Sequence, residues 1–276
     1  MTTSLKPLAH LSADYQQRFG GIARLYGEDN LVRLANSCFL VAGIGGVGSW
    51  TAEALARSGV GYIVLLDLDD ICITNTNRQI HTLQHTIGQE KTSVMAERLR
   101  AINPDIKVEC VNDFLDEENP ASLIGTQVNC VVDAIDSAQA KAALIAHCKR
   151  RKLPMITVGS AGGKTDPRQI TSGDLSKTVN DPLLAKVRNI LRRDYRFSRN
   201  PKRRFSIEAV YSIEQMTYPD ANGGVCQQKP DDMDGVKLDC SGGFGAVTMV
   251  TATAGFVAAS RAIERYLQKQ LNHTTD

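Results

Sequence analysis

The sequence predicts an α/β protein whose core is a doubly wound, mostly parallel sheet. From about residue 38 to residue 159, short apolar runs alternate with amphipathic segments of helical period. A glycine-rich turn joins the first apolar run to the first of these helical segments. This alternation is typical of βαβ units, in which helices cover both faces of a parallel sheet. A chain of 276 residues is long enough for such a core with further elements at each end.

The predicted strands and helices alternate along this part of the chain. Pro104 and Pro154 support two boundaries, because each stands just before a predicted strand, where a helix must already have ended. We expect strands at residues 39–42, 62–66, 107–111, 130–134 and 155–158, and helices at residues 46–58, 91–102 and 138–151. The polar, helix-like residues before the first strand predict an N-terminal helical arm over residues 1–35.

The pattern changes after Gly159, which predicts a core over residues 36–160 and a C-terminal extension over residues 161–276. Within the extension we expect a basic helix at 181–196, a strand at 205–213 and a long helix at 245–270. The long helix begins with 15 uncharged residues, whereas a membrane span needs about 20. A buried helix is therefore expected, with membrane association as the alternative.

Composition excludes several classes of protein. The net charge is only +2, so any contact with nucleic acid must depend on local clusters of basic residues. The seven cysteines are odd in number and form no C-x-x-C pair, which argues against a zinc knuckle and favours free thiols in a reducing cytosol. The N-terminus lacks the apolar core of a signal peptide, so we expect a cytoplasmic protein. Cys240 lies among glycines, and a structural thiol is favoured there over a reactive one.

The turn at residues 43–48 predicts a phosphate-binding loop. Its glycines, Gly43, Gly45, Gly46 and Gly48, let backbone N–H groups approach a phosphate at the positive end of the next helix. Asp67 follows Gly48 by 19 residues at the end of the second apolar run, where a ribose-binding carboxylate is found in Rossmann-like units. These residues predict a nucleotide site, and they do not distinguish NAD from ATP.

The polar residues after the second strand favour ATP. Asp69 shares the strand end with Asp67, Asn75, Arg78 and Gln79 follow in a loop, and Lys91 opens the next predicted helix. Each of them alone has an ordinary interpretation as a solvated or turn residue. Together they supply two cations and several polar groups suited to a triphosphate.

Asp136 follows the fourth predicted strand at the same edge of the sheet. Its carboxylate is suited to hold Mg²⁺ against the phosphates of a nucleotide. The alternative is that Asp136, with Ser137, caps the helix that follows. The two roles are compatible.

The set GIGGVG, DLD, NTNRQ, Lys91 and AIDS resembles the adenylating domain shared by ubiquitin-activating enzymes and the bacterial thiamine and molybdopterin adenylyltransferases. The resemblance covers about residues 18–159. It implies that ATP and Mg²⁺ are used to adenylate a carboxylate. It implies the following roles: Asp67 and Asp69 as the ribose and metal-side acids, Asn75, Arg78, Gln79 and Lys91 on the phosphates, Asp136 on the metal, and Arg78, Lys91 and Asp136 as the catalytic set. It also implies a homodimer in which an arginine of one arm, Arg18 or Arg24, completes the partner's site.

Nearly the whole chain, its C-terminal half included, is similar to one branch, the tRNA threonylcarbamoyladenosine dehydratases. The similar pieces are RFGGIARLYG, TNTNRQIH, DAIDS, KAALIAHC, SAGG and GGFGAVTMVTATAGFVA, and the C-x-x-C pairs of the thiamine and molybdopterin enzymes are absent. This branch implies a modified adenosine in tRNA as substrate, whose carboxylate is activated as an acyl-adenylate and then attacked within the same side chain. Such ring closure needs no protein nucleophile, and no Cys-His or Ser-His arrangement is evident.

Three alternatives stay open. The first is an adenylyltransferase for the C-terminal glycine of a ubiquitin-like sulfur carrier, which shares the ATP residues. The second is an NAD-dependent oxidoreductase, which Arg78, Lys91 and Asp136 argue against. The third is a non-catalytic protein that binds tRNA or a protein partner and keeps a vestigial ATP site. A sulfur-transfer or activating protein partner is not decided by the sequence.

Residues 186–204 form a basic segment of nine Lys and Arg residues opposed only by Asp194. Within it we expect Arg192, Arg193, Arg203 and Arg204 to contact a tRNA backbone. The aromatic residues Tyr195, Phe197 and Phe205 interleave with the cations and suggest stacking on unpaired bases. The alternative is a solvated surface or a dimer contact.

Overall fold

A computed structural model describes residues 10–220, 222–227 and 245–272. Cys240 and most of the polar stretch 223–239 lie outside the described residues. The description below concerns the described residues alone.

Seven strands form the central sheet, in the order β3-β2-β1-β4-β5-β7-β6. Their bounds are β1 Cys38–Ala42, β2 Tyr62–Leu66, β3 Lys107–Val111, β4 Cys130–Asp133, β5 Met155–Val158, β6 Ile170–Asp174 and β7 Glu208–Ser212. All neighbouring pairs are parallel except β6 and β7, which are antiparallel. The strand order reverses between β1 and β4, which makes the sheet doubly wound, as predicted, and opens a crevice at the carboxyl ends of these strands.

Helices cover both faces of the sheet. Their bounds are α1 Ala13–Tyr26, α2 Glu28–Ala35, α3 Gly48–Arg57, α4 Lys91–Ile102, α5 Pro120–Leu123, α6 Ala138–Arg150, α7 Pro182–Asp194 and α8 Thr248–Asn272. A short hairpin of β8 Tyr218–Pro219 and β9 Val225–Cys226 lies outside the sheet. Alternate residues of β1 face opposite layers: Phe39 and Val41 pack with α3, α4 and α8, and Leu40 packs with α6 and α7.

The five predicted strands are confirmed to within one residue at each end. The antiparallel strand β6 was not predicted, because its sequence ITSGD is polar and only half-buried. The long helix is confirmed as α8, and its buried residues Ala254, Ala258 and Ala262 pack in the core. Among the described helices, none combines the length and the apolarity needed to cross a bilayer.

Helix α8 packs closely against α3, so the C-terminal extension contributes to the core layer. A Cβ added to Gly255 would lie 2.7 Å from the carbonyl oxygen of Val47, which shows how near the two helices approach. Thr51 donates a hydrogen bond to the carbonyl oxygen of Gly255, at 3.2 Å. The rings of Trp50 and Phe256 meet edge to face at 5.8 Å. The division of the chain at residues 35 and 160 stays a prediction.

Candidate functional site

The turn at residues 43–48 closes tightly on itself between β1 and α3. Gly43 adopts a φ of 84°, and a Cβ there would lie 2.9 Å from the carbonyl oxygen of Ala134. A Cβ on Gly48 would lie 1.7 Å from the carbonyl oxygen of Gly43, a distance that no side chain can tolerate. Both positions therefore require glycine, and the turn carries the start of α3 to the carboxyl edge of the sheet.

Asp67 ties this turn to the end of β2. Its Oδ2 accepts a hydrogen bond from the backbone N–H of Ile44 at 2.6 Å, and its Oδ1 accepts one from Asp69 at 2.9 Å. Its side chain is largely buried, at 10% exposure. The predicted carboxylate is thus at the crevice, where it also shapes the glycine turn.

Lys91 is the first residue of α4, and it lies between the two aspartates. Its Nζ is 2.7 Å from Asp69 Oδ2 and 3.7 Å from Asp67 Oδ1. The lysine side chain is buried, whereas that of Asp69 is 74% exposed. The structure therefore brings the predicted Lys91 cation to the end of β2, with its charge balanced by carboxylates.

The loop after β2 is built around Asn75. Its Oδ1 accepts a hydrogen bond from Cys72 N at 3.0 Å, and its carbonyl oxygen accepts from Arg78 N at 3.1 Å and from Gln79 N at 3.0 Å. Arg78 donates to the carbonyl oxygen of Thr74 at 2.9 Å. All three predicted side chains of this loop are buried, and the Asn75 side chain is used to fold the loop.

Arg78 and Gln79 pack against the glycine turn. A Cβ on Gly46 would lie 3.2 Å from Arg78 Cγ, and one on Gly45 would lie 3.8 Å from Gln79 Nε2. Gln79 Oε1 is buried without a hydrogen-bond partner among the described residues. A buried acceptor without a partner costs free energy, so this oxygen is available to a donor of a bound ligand.

The start of α8 fixes the Arg78 loop from the other side. The carbonyl oxygen of Arg78 accepts hydrogen bonds from Trp50 Nε1 at 3.1 Å and from Thr251 Oγ1 at 3.3 Å. Thr248 Oγ1 donates to the carbonyl oxygen of Asn77 at 2.6 Å. Sequence reasoning missed these positioning threonines, because their partners lie more than 170 residues away in the chain.

Asp136 lies just beyond β4 and is exposed. Ser137 accepts the hydrogen bond from Ala140 N that caps α6, so the capping role belongs to the serine. Within the described part of the chain, the Asp136 side chain makes no hydrogen bond or ion pair, and no group of three His, Cys, Asp or Glu residues is arranged to hold a metal. A lone exposed carboxylate fits Mg²⁺, which commonly takes one or two carboxylates with substrate phosphates.

A fully buried ion pair, formed by Asp133 at the end of β4 and Lys141 in α6, lies on either side of Asp136 in the sequence. Lys141 Nζ is 2.8 Å from Asp133 Oδ1, and both side chains have 0% exposure. Asp133 Oδ2 accepts a hydrogen bond from Thr157 Oγ1 at 2.7 Å, and Asp133 Oδ1 accepts from Ile135 N at 3.2 Å. The pair therefore fixes the backbone that leads to Asp136. Sequence reasoning missed it, although Asp133 lies near the end of a predicted strand and Lys141 interrupts an apolar helix.

His81 is a second buried group that the sequence did not single out. It is 1% exposed, and neither ring nitrogen has a hydrogen-bond partner among the described residues. Burial, and then the charges of Lys91 and Arg98, lower the pKa of His81 to about 4. The imidazole is therefore neutral at physiological pH.

The basic segment 186–204 divides between the core and the surface. Arg192 lies over the ring of Phe205 at 5.3 Å, and Arg193 pairs with Asp194 at 2.7 and 2.8 Å. Arg203 and Arg204 are exposed. The expectation that Phe205 stacks on bases is wrong, because its ring is 2% exposed and packs in the core.

Tyr195 and Phe197 are partly buried against the same core cluster. Phe197 meets Phe205 edge to face at 5.0 Å. The aromatic residues of the segment therefore anchor it to the protein, while Arg193, Arg203 and Arg204 are among the cations left at the surface.

Comparison of the sequence with known proteins shows the family to which the chain belongs. The sequence matches the ThiF family over residues 19–275. The chain belongs to the ThiF family. This match extends from α1 to beyond the end of α8, and it confirms the resemblance that the glycine turn and the following motifs indicated.

Two relatives that match over nearly the whole chain are both named tRNA threonylcarbamoyladenosine dehydratase. The tRNA threonylcarbamoyladenosine dehydratase of Haemophilus influenzae is 52% identical over 93% of this chain and 96% of its own length. The crystal structure of the corresponding Escherichia coli protein, TcdA, in complex with ATP superposes with a TM-score of 0.84 at 48% identity, covering 95% of this chain and 98% of that one. The molybdopterin-synthase adenylyltransferase of Escherichia coli is 33% identical over 54% of this chain and 61% of its own length.

The buried ion pair of Lys141 and Asp133 leads to a prediction about the stability of this ThiF-family protein. Lys141→Met should lower the free energy of unfolding by about 3–5 kcal/mol, because it leaves the Asp133 carboxylate buried without its cation. The double variant Asp133→Asn/Lys141→Met should recover much of this loss, since it leaves no buried charge. Urea denaturation of the three proteins measures both effects, and equal stability of Lys141→Met and the native protein would contradict the pairing.

The lowered pKa of the buried His81 predicts that the free energy of unfolding decreases at acid pH. Its folded pKa is lowered to about 4 from 6.5, so the unfolded chain binds a proton more readily, and stability falls as the pH drops from about 6.5 toward 4. At pH 4.5 the His81 contribution should amount to about 2 kcal/mol relative to pH 7. His81→Gln should lose this part of the pH dependence in urea denaturation, and parallel pH profiles for the two proteins would contradict it.

Proposed function

We propose that this protein uses ATP to adenylate the carboxylate of threonylcarbamoyladenosine in tRNA and then closes that side chain into a ring with loss of water. The observation that carries the proposal is the extent of similarity. The dehydratase of Haemophilus influenzae aligns with 93% of this chain, whereas the molybdopterin-synthase adenylyltransferase of Escherichia coli aligns with 54%. The similarity to the adenylyltransferase therefore accounts for only about half of the chain, whereas the similarity to the dehydratase accounts for nearly all of it.

ATP occupies the crevice at the carboxyl ends of β1, β2 and β4 in this proposal. The glycine turn supports it, since it brings backbone N–H groups and the start of α3 to the phosphates. The supporting side chains are Asp67 and Asp69 toward the ribose and the metal, and Asn75, Arg78, Gln79 and Lys91 toward the phosphates. The buried acceptor of Gln79 supplies a further point of recognition.

Asp136 would hold Mg²⁺ together with the nucleotide phosphates, and the ion would neutralise phosphate charge there. Asp136 projects from a turn whose backbone is fixed by Asp133 and Lys141, so its position is set before any ligand arrives.

The chemistry requires alignment and charge neutralisation. An oxygen of the substrate carboxylate attacks the α-phosphorus of ATP, a new P–O bond forms, and pyrophosphate leaves. A nucleophilic atom of the same side chain then attacks the acyl carbon, AMP leaves with the carboxylate oxygen, and a ring closes. The nucleoside loses one water in total. Arg78 and Lys91 stabilise the negative charge that develops on the phosphates, and no protein nucleophile is needed.

The tRNA lies along the basic segment 186–204. Of the four arginines expected to contact it, Arg203 and Arg204 are exposed, and Arg192 and Arg193 lie at the end of α7. The Arg193 charge is shared with Asp194, so we expect Arg203 and Arg204 to contribute more of the phosphate contacts.

The functional unit is a homodimer in which the arm α1 of one subunit completes the site of its partner. Two arginines of the arm are candidates. Arg18 is paired with Asp14 at 2.7 Å, whereas Arg24 is exposed and makes no hydrogen bond or ion pair within the described part of the chain. Its neighbour Leu25 is 73% exposed. These features favour Arg24 as the arginine that crosses between subunits.

Product analysis tests the proposed reaction. Modified tRNA incubated with the protein and ATP should yield a nucleoside lighter by one water in mass spectrometry. Arg78→Ala, Lys91→Ala and Asp136→Ala should each lower the rate by about 10²–10³, because each removes charge compensation from the phosphates. Arg57→Ala, at the exposed end of α3, is the matched control and should keep the native rate.

Two results would contradict this proposal. An unchanged nucleoside, with ATP–pyrophosphate exchange that depends on a ubiquitin-like protein, would establish the sulfur-carrier adenylyltransferase instead. Near-native rates in two of the three site variants would contradict the assigned residues.

Mixing inactive subunits tests the shared site. Arg24→Ala and Lys91→Ala should each be inactive alone, but their mixed dimer holds one intact site, so an equimolar mixture should recover about a quarter of the native activity. Arg18→Ala mixed with Lys91→Ala distinguishes the two arginines. A monomeric mass in light scattering, or no recovery on mixing with either arginine variant, would contradict the shared site.

A further inference from the structure

A second charged site lies at the edge of the sheet opposite the proposed ATP crevice. A cavity of about 410 Å³ opens between the start of β7, the end of β6 and α8. Glu208 is the first residue of β7, and β7 runs parallel to β5, so the cavity lies where the parallel strands begin. Gly173 forms part of its wall, and the absence of a side chain there leaves space.

Two arginines of α8 are held into this cavity by Glu208. The Glu208 side chain is 5% exposed, and its Oε2 accepts a hydrogen bond from Arg265 Nε at 2.6 Å. Its Oε1 accepts from Arg261 Nε. Burial alone would raise the pKa of Glu208, but the hydrogen bonds from Arg261 and Arg265 outweigh it and lower the pKa. An ionised carboxylate therefore orients both guanidinium groups through their Nε atoms.

The terminal nitrogens of these guanidinium groups remain largely free. One terminal nitrogen of Arg261 donates a hydrogen bond to Glu264. The terminal nitrogens of Arg265 make no hydrogen bond within the described part of the chain. Arg204 lines the cavity as a third cation, and it too lacks a hydrogen-bond partner among the described residues. A guanidinium presents five N–H donors in a rigid fork, which matches the oxygens of a phosphate.

The two carboxylates that line the cavity, Asp174 and Glu208, already accept hydrogen bonds from donors of the protein. Asp174 accepts hydrogen bonds from the backbone N–H groups of Ser176, Phe205 and Ser206, at 2.7 to 2.9 Å. Glu208 is occupied by the two arginines of α8. The hydrogen-bonding capacity that remains in the lining is therefore mainly that of donors, which selects for an anion with several acceptor oxygens.

We propose that this cavity binds a phosphate group of the tRNA backbone, on Arg204, Arg261 and Arg265. The link is Arg204, which belongs both to the basic segment 186–204 and to the cavity lining. A polyanion that follows the segment therefore reaches the cavity and the two arginines of α8. Phosphate contacts of this kind fix the register and orientation of a nucleic acid without reading its sequence. This inference rests on the proposed action on tRNA.

Arg265→Gln tests the site. The glutamine amide can still donate to Glu208, but the charge and the fork are lost. We expect several-fold weaker binding of tRNA in filter binding, and a slope of log K against log salt that is smaller by about one, as for one lost phosphate contact. The rise in melting temperature caused by ATP should be unchanged.

Arg57→Gln is the matched control. Arg57 also donates its Nε to a carboxylate of 5% exposure, that of Glu53, and its own side chain is 59% exposed. Arg57→Gln removes one positive charge and alters one arginine–glutamate contact, as Arg265→Gln does, but outside the cavity. The affinity for tRNA and the slope of log K against log salt should therefore equal those of the native protein. Equal affinity and slope for folded Arg265→Gln and the native protein would overturn the proposal.

Two further measurements separate the other outcomes. In the native protein, tRNA should protect Arg261 and Arg265, but not Arg57, from modification by phenylglyoxal, and absence of protection would overturn the proposal even if the variant failed to fold. Inorganic phosphate is the second probe. If it stabilises the native protein but not Arg265→Gln while tRNA binding is equal, the cavity is a site for free phosphate. If the native protein forms no dehydrated nucleoside, the proposed function fails, and the protection result still reports on tRNA binding.

Discussion

The Asp67 carboxylate holds together three parts of the candidate site that are distant in sequence. One oxygen accepts the N–H of Ile44 in the glycine turn, and the other accepts the N–H of Asp69 and lies 3.7 Å from Lys91 Nζ. The turn after β1, the end of β2 and the start of α4 therefore share one anchor. Because each of these elements presents its own polar groups to the crevice, this side chain helps to set their relative positions, together with the backbone hydrogen bonds from Gly43 to Leu66 and from Lys91 to Asp69.

Helix α8 relates the two edges of the sheet. Near its start, Thr248 and Thr251 bond the loop of Arg78, and fourteen residues after Thr251, Arg265 bonds Glu208 at the opposite edge. At a rise of about 1.5 Å per residue, these contacts are roughly 20 Å apart along one rigid element. The close approach at Gly255 keeps α8 from turning or sliding on α3. The proposed tRNA contact and the nucleotide loop therefore lie at a fixed separation.

The sequence predicted the features that depend on local pattern. The strands β1, β2, β4 and β5 are short, mostly apolar runs, and the glycine turn with Asp67, Arg78 and Lys91 follows a compact motif, so both were found. Strand β6 was missed because its pairing with β7 is a long-range contact of half-buried polar residues. The buried Lys141 and His81 were missed for the same kind of reason, since only the folded chain encloses them. Phe205 was misassigned because its neighbours in sequence are basic while its neighbours in space are apolar.

The pairing of Lys91 with Asp69 has a consequence for how tightly a nucleotide is held. A phosphate that approaches Lys91 competes with a carboxylate already 2.7 Å from the ammonium group. Part of the attraction between the phosphate and Lys91 is therefore offset by the loss of the contact with Asp69. The displaced carboxylate is 74% exposed and can turn toward a cation that arrives with the nucleotide. In the proposed reaction, Asp69 recovers its partner when pyrophosphate departs, which favours release of this product and prepares the crevice for another turnover.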